Sequence, residues 1–307
     1  MKSISQRIKT LIILVLMYIA AISGAVIGFL VIPIDNVLIK MFFSDIIATI
    51  IIWALGLLIK NASVYDPYWS IVPPLIVIGW IIVLQSNIKL SVILLMLAIV
   101  MWSIRLTLNW ADGWVDFSVQ DWRYTMIHNK HPRLWFIANL WGINLMPTII
   151  VFFQLANAYY FLRAEPEVNL LIVVGFSLCI VAVFIQYISD RQMTSFRHRN
   201  HGKQQCINEG LWKFSRHPNY FGEVLMWWGV WVMYFGTYQT INILLLAPMA
   251  MTALFLFISI PMMEKKILSS RPEYKIYQKS VSILIPFFPL KRRICDETIC
   301  NEKYNTE

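Results

Sequence analysis

The stretch richest in reactive side chains is Gly210-Leu-Trp-Lys-Phe-Ser-Arg216-His217-Pro218-Asn219-Tyr220-Phe-Gly222-Glu223, with Trp227 one turn further on. Pro218 lacks an N–H and has a fixed φ, so it suits a turn or the first turn of a helix. From there Tyr220, Glu223 and Trp227 recur at helical spacing, which places them on one helix face. Asn219 is expected to cap that helix, with Glu223 near its positive end. A carboxylate entering an apolar helix beside an arginine and a histidine is expensive unless something binds there. The plainer alternative is a turn at the membrane surface, holding a capping residue and a snorkelling arginine.

The elements that must position these residues are membrane helices. The chain is 58% apolar and only 14% charged, which lies outside the range of soluble domains. Several apolar runs approach or exceed the roughly 20 residues that a helix needs to cross a bilayer. The expected fold is all-α, a polytopic membrane helix bundle of about eight spans forming a single membrane domain. The spans are expected at about 11–32, 41–59, 71–86, 90–108, 134–156, 169–189, 221–238 and 241–262. The first run, Leu11 to Ile32, is too long for a signal-peptide core and has no small-residue cleavage site, so it reads as a retained helix. Residues 1–60 form N-terminal helices, 61–290 the core and 291–307 a tail.

Eight spans place both termini on one side. That side carries 22 of the 26 Lys and Arg residues, the other only Lys40, Lys89 and Arg163, and Arg105 lies within a span. The positive-inside rule then puts both termini in the cytosol. The net charge of +9 restates this asymmetry rather than marking a nucleic-acid surface. Either a bacterial inner membrane or the endoplasmic reticulum fits, and the bilayer itself is the one certain partner.

The polar clusters fall on the cytosolic side. They are Asn61 to Ser70 with Tyr65, Asp66 and Tyr68; Trp102 with Arg105; the Trp-rich loop through Trp110, Trp114, Asp121, Arg123 and Tyr124; Gln186, Asp190 and Arg197; the opening stretch; and Glu264 to Tyr277. Singly, Trp110 and Trp114 suit an aromatic belt, arginines at helix ends snorkel, and Asp66 before Pro67 forms turns. Together they suit an anionic cytosolic ligand: arginines for phosphates, aromatics for a ring, a carboxylate and an amide for orientation. His198 and His201 are spaced for a metal but have no companion ligands nearby, and no metal is expected. Cys206, Cys295 and Cys300 face the reducing cytosol, and Cys179 lies inside a helix. The sequence contains neither a Gly-x-Gly-x-x-Gly nor a P-loop motif, so a nucleotide would have to bind among the helices themselves.

Gly210-Leu-Trp, Arg216-His-Pro-Asn-Tyr-Phe-Gly-Glu223 and Tyr277-Gln-Lys-Ser to Ile285-Pro-Phe287 resemble the C-terminal domain of the steroid 5-alpha-reductase family. Asp121-Trp-Arg123-Tyr124 and Trp102-x-x-Arg105 resemble its large, mostly uncharacterised microbial branch, and the similarity covers roughly residues 60 to 290. The resemblance implies a seven-helix membrane core, to which span one is an addition, with NADPH in a cavity open to the cytosol. It assigns Asn219, Tyr220, Glu223, Trp227, Asp190 and Arg197 to the nucleotide, with Gln186 where some members have Asn and with Arg105 and Arg123 matched by position. Its catalytic glutamate falls near Asp66, with Tyr65 and Tyr68 beside it. Trp102 stands where the family has a tyrosine.

The resemblance implies an NADPH-dependent reductase acting on an activated C=C of a lipophilic enone, sterol-like or polyprenoid. The alternatives are an S-adenosylmethionine-dependent methyltransferase of the isoprenylcysteine or phospholipid type, and a sterol-binding scaffold without catalysis. The methyltransferases share Arg-His-Pro-x-Tyr-x-Gly and a tail with Glu-Glu and then Tyr-x-x-Tyr; here Tyr274-x-x-Tyr277 is present, but Lys265 follows Glu264. The charge split makes one direct prediction. A reporter fused after Glu307 is cytosolic and a tag at Arg163–Glu165 is reachable only from outside; finding both on one side breaks the eight-span topology.

Overall fold

The computed structural model describes residues 4–200 and 205–289; His201, Cys295, Cys300 and the tail 291–307 lie outside them. The described residues contain no strand. The helices are α1 (Ile4–Val31), α2 (Val37–Leu58), α3 (Tyr68–Leu84), α4 (Leu90–Gly113), α5 (Trp122–Lys130), α6 (Pro132–Ala164), α7 (Leu170–Arg199), α8 (Pro218–Tyr238), α9 (Ile243–Ser270) and α10 (Tyr274–Ser280). Seven of them are long and apolar enough to cross a membrane: α1, α2, α3 with the 3-10 turn Ala62–Tyr65 before it, α4, α6, α7 and α9. The eighth expected span is α8, which has 21 residues. It is long enough to cross, but its tryptophans, tyrosines, glycines and Glu223 make it less apolar than the others.

Several helices run past their expected ends, because their polar outer turns keep the helical hydrogen bonds that a bilayer requires. Asp121 caps α5, its Oδ1 accepting from the Arg123 N–H at 2.8 Å. In α6 the stretch Ala138–Leu145 widens to a π-helix, and Asn144 Nδ2 donates there to the Asn139 carbonyl at 2.8 Å. A side chain inserted into the helical ladder is a common cause of such a bulge.

Close contacts divide the chain into two compact units, the first formed by Met1–Phe176 with Val230–Ala247, the second by Ser177–Gly229 with Pro248–Glu307. In the first, the fully buried Trp80 packs edge-on against Phe152 and Tyr159, with ring centroids 5.8 and 5.2 Å away. One end of this unit is tied by Asn87 and Lys89 to Glu165 and Glu167, and the Lys89–Glu167 ion pair measures 2.8 Å. The other end is tied by Arg7 to the Ala111 carbonyl and by Trp114 Nε1 to Thr10 at 3.1 Å. The loops meet in the pairs that alternating spans require. Trp114, expected in an aromatic belt, is instead buried as part of this tie.

In the second unit α7 and α8 meet at Gly222. A Cβ there would lie 2.9 Å from the Ala182 carbonyl and 2.4 Å from Gln186 Cγ, so only glycine lets the backbones approach this closely. The core of the unit gathers Val224, Ile260 and Leu284, with Tyr220, Phe221 and Trp228 packed against them.

Asn61 shows how the polar loops of the first unit are held. It is 1% exposed; its Nδ2 donates to the Phe117 and Val119 carbonyls at 2.8 and 2.9 Å, and its Oδ1 accepts from Ser63 N–H at 2.8 Å. Replacing it with Ala strands groups that each cost about 1–3 kcal/mol when left unpaired. Asn61→Ala is therefore expected to lower the melting temperature of the detergent-purified protein clearly; a melt equal to wild type contradicts this role.

Candidate functional site

In the second unit, the α8 face carrying Glu223 and Trp227 turns toward α7. Glu223 is 4% exposed and Gln186 1%. Gln186 Nε2 donates to Glu223 Oε2 at 2.7 Å, and Trp227 Nε1 donates to Glu223 Oε1 at 3.0 Å. The carboxylate fixes the Gln186 amide, because an acceptor turned toward it would be repelled. Gln186 Oε1 is left as a buried acceptor with no hydrogen-bond partner. Such an atom costs about 1–3 kcal/mol unless a donor reaches it. It fits the donor of a ligand, such as an amide NH2 or a sugar hydroxyl.

The Arg216–His217 pair turns to a different acid. Glu264 Oε1 lies 3.2 Å from Arg216 Nε and 3.0 Å from His217 Nε2. The same oxygen accepts from the Tyr274 hydroxyl at 3.1 Å, and Gln278 Nε2 donates to Oε2 at 2.6 Å. Arg216 Nη1 also donates to the Gln278 carbonyl at 3.1 Å. Burial, with the Glu264 charge beside it, pushes the Tyr274 phenol well above its ordinary range, which keeps it a donor. Around this hub the C-terminal segment clasps the motif: Arg216 N–H donates to the Ser282 carbonyl at 2.8 Å, Ser215 Oγ to the Leu284 carbonyl at 2.6 Å, and the Tyr277 hydroxyl to the Trp212 carbonyl. Arg216 and His217 are thus occupied in building the segment.

The remaining residues assigned to the nucleotide are spread along this unit. α8 starts at Pro218, so the capping position falls to His217 and Asn219 lies inside the first turn; the expected cap at Asn219 is corrected by two residues, because Pro218 takes the first helical position. Asn219 Oδ1 accepts from Tyr220 N–H at 3.1 Å, and its NH2 donates to none of the described residues. The Tyr220 ring stacks on His217, with centroids 5.3 Å apart, and packs against Phe255. Asp190 is half-buried one turn after Gln186, and Arg197 is exposed in the last turn of α7. Arg105 and Arg123 belong to the first unit. Arg123 is held by Asp121 through bonds of 2.8 and 3.0 Å, with its guanidinium over the Tyr124 ring.

The acid expected at Asp66 also lies in the first unit, where the Tyr124 hydroxyl donates to its Oδ1. Burial and the Asp66 charge push the Tyr124 phenol well above its ordinary value, so it stays a donor at working pH. Tyr65 and Tyr68, expected beside Asp66, point elsewhere: Tyr68 OH donates to Asp45 Oδ1 at 2.7 Å, and Tyr65 OH bonds Thr148 Oγ1 at 2.7 Å. Asp45 went unremarked in the sequence, though an acid inside an apolar run was the signal for it. Tyr124 stood out there only as one polar residue of the Trp-rich loop, and nothing in its spacing pointed to Asp66. Among the described residues no three His, Cys, Asp or Glu side chains gather as metal ligands.

No solved structure matches the chain at a significant level. A protein of Schizosaccharomyces pombe described as uncharacterised is 22% identical over 263 residues, covering 77% of this chain and 76% of its own length. Residues 52–281 match the family described as a protein of unknown function, DUF1295. With three quarters of its length inside that match, the chain belongs to the DUF1295 family of membrane proteins.

Proposed function

We propose that this protein is an NADPH-dependent membrane reductase that saturates the activated C=C of a lipophilic enone from the cytosolic side. The observation that carries the reading is the buried trio of Gln186, Glu223 and Trp227, with one acceptor, Gln186 Oε1, lacking a donor. This donor-seeking atom suits the carboxamide or the ribose of a nicotinamide nucleotide. The sequence around the trio resembles the nucleotide segment of the steroid 5-alpha-reductase family. When bound, NADPH supplies a hydride to the substrate. Glu223 and Gln186 would orient it, Asn219 would offer its NH2, and Arg197 is a fork free to meet a phosphate.

The acid on this reading is Asp66, in the first unit. Tyr124 occupies its Oδ1, so a proton carried by Asp66 resides on Oδ2, from which it can bond a ketone oxygen as charge develops there. Tyr124 thereby takes up a hydroxyl role beside the acid that Trp102, with only an indole N–H, cannot fill.

A second reading has its own observation. Arg216, His217 and Tyr274, which belong to the pattern shared with the isoprenylcysteine and phospholipid methyltransferases, converge on the Glu264 carboxylate. S-adenosylmethionine is the ligand that reading requires.

Two measurements test the reductase. Arg197 is exposed, so Arg197→Ala leaves the fold intact; it is expected to weaken NADPH binding by about 1.5–3 kcal/mol, the range for a hydrogen bond to a charged group. Equal affinity in variant and wild type removes Arg197 from the nucleotide. In a screen of enones followed by NADPH oxidation, Asp66→Asn is expected to keep NADPH affinity and lower turnover by about 10²–10⁴-fold. Near-wild-type turnover would reduce Asp66 to a turn residue.

A further inference from the structure

Another acid of the first unit is buried inside a membrane-spanning helix. Asp45 is 6% exposed and sits roughly 12 Å into α2, a helix roughly 33 Å long at 1.5 Å per residue. Among the described residues no cation pairs with it. An acid at the centre of a membrane helix costs roughly 2.5–3.5 kcal/mol on insertion scales, so its presence asks for a partner.

Hydrogen-bond accounting says what kind of partner. Tyr68 OH fills Asp45 Oδ1 at 2.7 Å. Thr148 Oγ1 bonds the hydroxyls of Tyr65 at 2.7 Å and Thr49 at 2.9 Å, and donates to the Asn144 carbonyl at 3.0 Å. The Tyr65 proton is therefore spent on Thr148. Asp45 Oδ2 receives no bond from the described residues, and the tyrosine oxygens keep lone pairs. What is unfilled here is the second carboxyl oxygen of Asp45. Asp45, Tyr65, Tyr68 and Thr148 line a cavity of about 10 Å³ together with apolar side chains that include Val72 and Leu155. That volume is near the lower limit, roughly 10–15 Å³, for one oxygen-sized guest.

We propose that this cavity is a binding site for a single neutral O–H group, which hydrogen-bonds to Asp45 Oδ2. The group is either an internal water or the alcohol end of an otherwise apolar molecule. A methyl ether carries an extra carbon on that oxygen, which a cavity of this volume does not hold. The inference is independent of the nucleotide reading, since every group it uses lies in the first unit and none is assigned to the nucleotide.

The test uses the full-length protein in detergent, with farnesol and farnesyl methyl ether as probes, read by thermal unfolding. In parallel, infrared spectra in H2O and D2O report any isolated, exchangeable O–H stretch. If the guest is an alcohol, farnesol raises the melting temperature by several degrees and the ether does not. In the double variant Asp45→Leu/Tyr68→Phe the farnesol shift is lost. If the guest is water, neither probe acts, but the wild type shows an exchangeable O–H band that the double variant lacks. Should the double variant fail to fold, Asp45→Ala replaces it: no oxygen is left there to meet the guest, so the same losses are expected. Equal shifts with alcohol and ether, signals that survive in the variants, or a wild type showing neither a farnesol shift nor the band, would overturn the proposal.

Discussion

The carboxylate of Glu264 holds the second unit together. It gathers Arg216, His217, Tyr274 and Gln278, groups from two separate parts of the chain, around two oxygens. Arg216 and Glu264 are both close to nine-tenths buried at the side chain, so neither could keep its charge without the other. Breaking a buried pair by removing one partner costs about 3–5 kcal/mol, mostly as the penalty on the charge left behind. The hub therefore constrains everything attached to it. The His217–Pro218 junction is fixed, α8 starts where Pro218 dictates, and Glu223 arrives at Gln186 because Gly222 lets the two backbones close.

Both oxygens of Glu264 are met within the hub. Gln186 Oε1 is by contrast a buried acceptor with no partner, and Asp45 takes a side-chain bond on Oδ1 and none on Oδ2 from the described residues. A bilayer supplies no water to correct such gaps, so a membrane protein that keeps them carries a cost which a bound molecule removes. Arg216 and His217, the most conspicuous residues of the motif, serve the scaffold, while the quieter Gln186 marks the candidate site.

Much of the architecture was legible in the sequence because helices in a membrane must be continuously apolar. Each expected span coincides with a helix, and the loops that alternation pairs are tied to one another in the first unit. Glu223 and Trp227 were placed together correctly, since helical spacing alone puts them on one face. What could not be read were bonds between distant segments. Nothing in the spacing of Glu264 announces Arg216, which lies 48 positions earlier, and nothing near Asp66 announces Tyr124. Tyr65 and Tyr68 were misdirected for a local reason: the 3-10 turn Ala62–Tyr65 and the start of α3 rotate both rings inward to Thr148 and Asp45, away from their neighbour in sequence. The cap expected at Asn219 lies two residues earlier, because a proline at the first helical position moves it back to His217.

The central claim is that the buried trio at Gln186 serves a nicotinamide nucleotide. The most direct measurement is equilibrium binding of NADPH and, separately, S-adenosylmethionine to the purified full-length protein. The reductase account predicts saturable NADPH binding that S-adenosylmethionine does not displace. Saturable binding of S-adenosylmethionine with none of NADPH would contradict it and favour the methyltransferase, and binding of neither would leave the nucleotide claim without support.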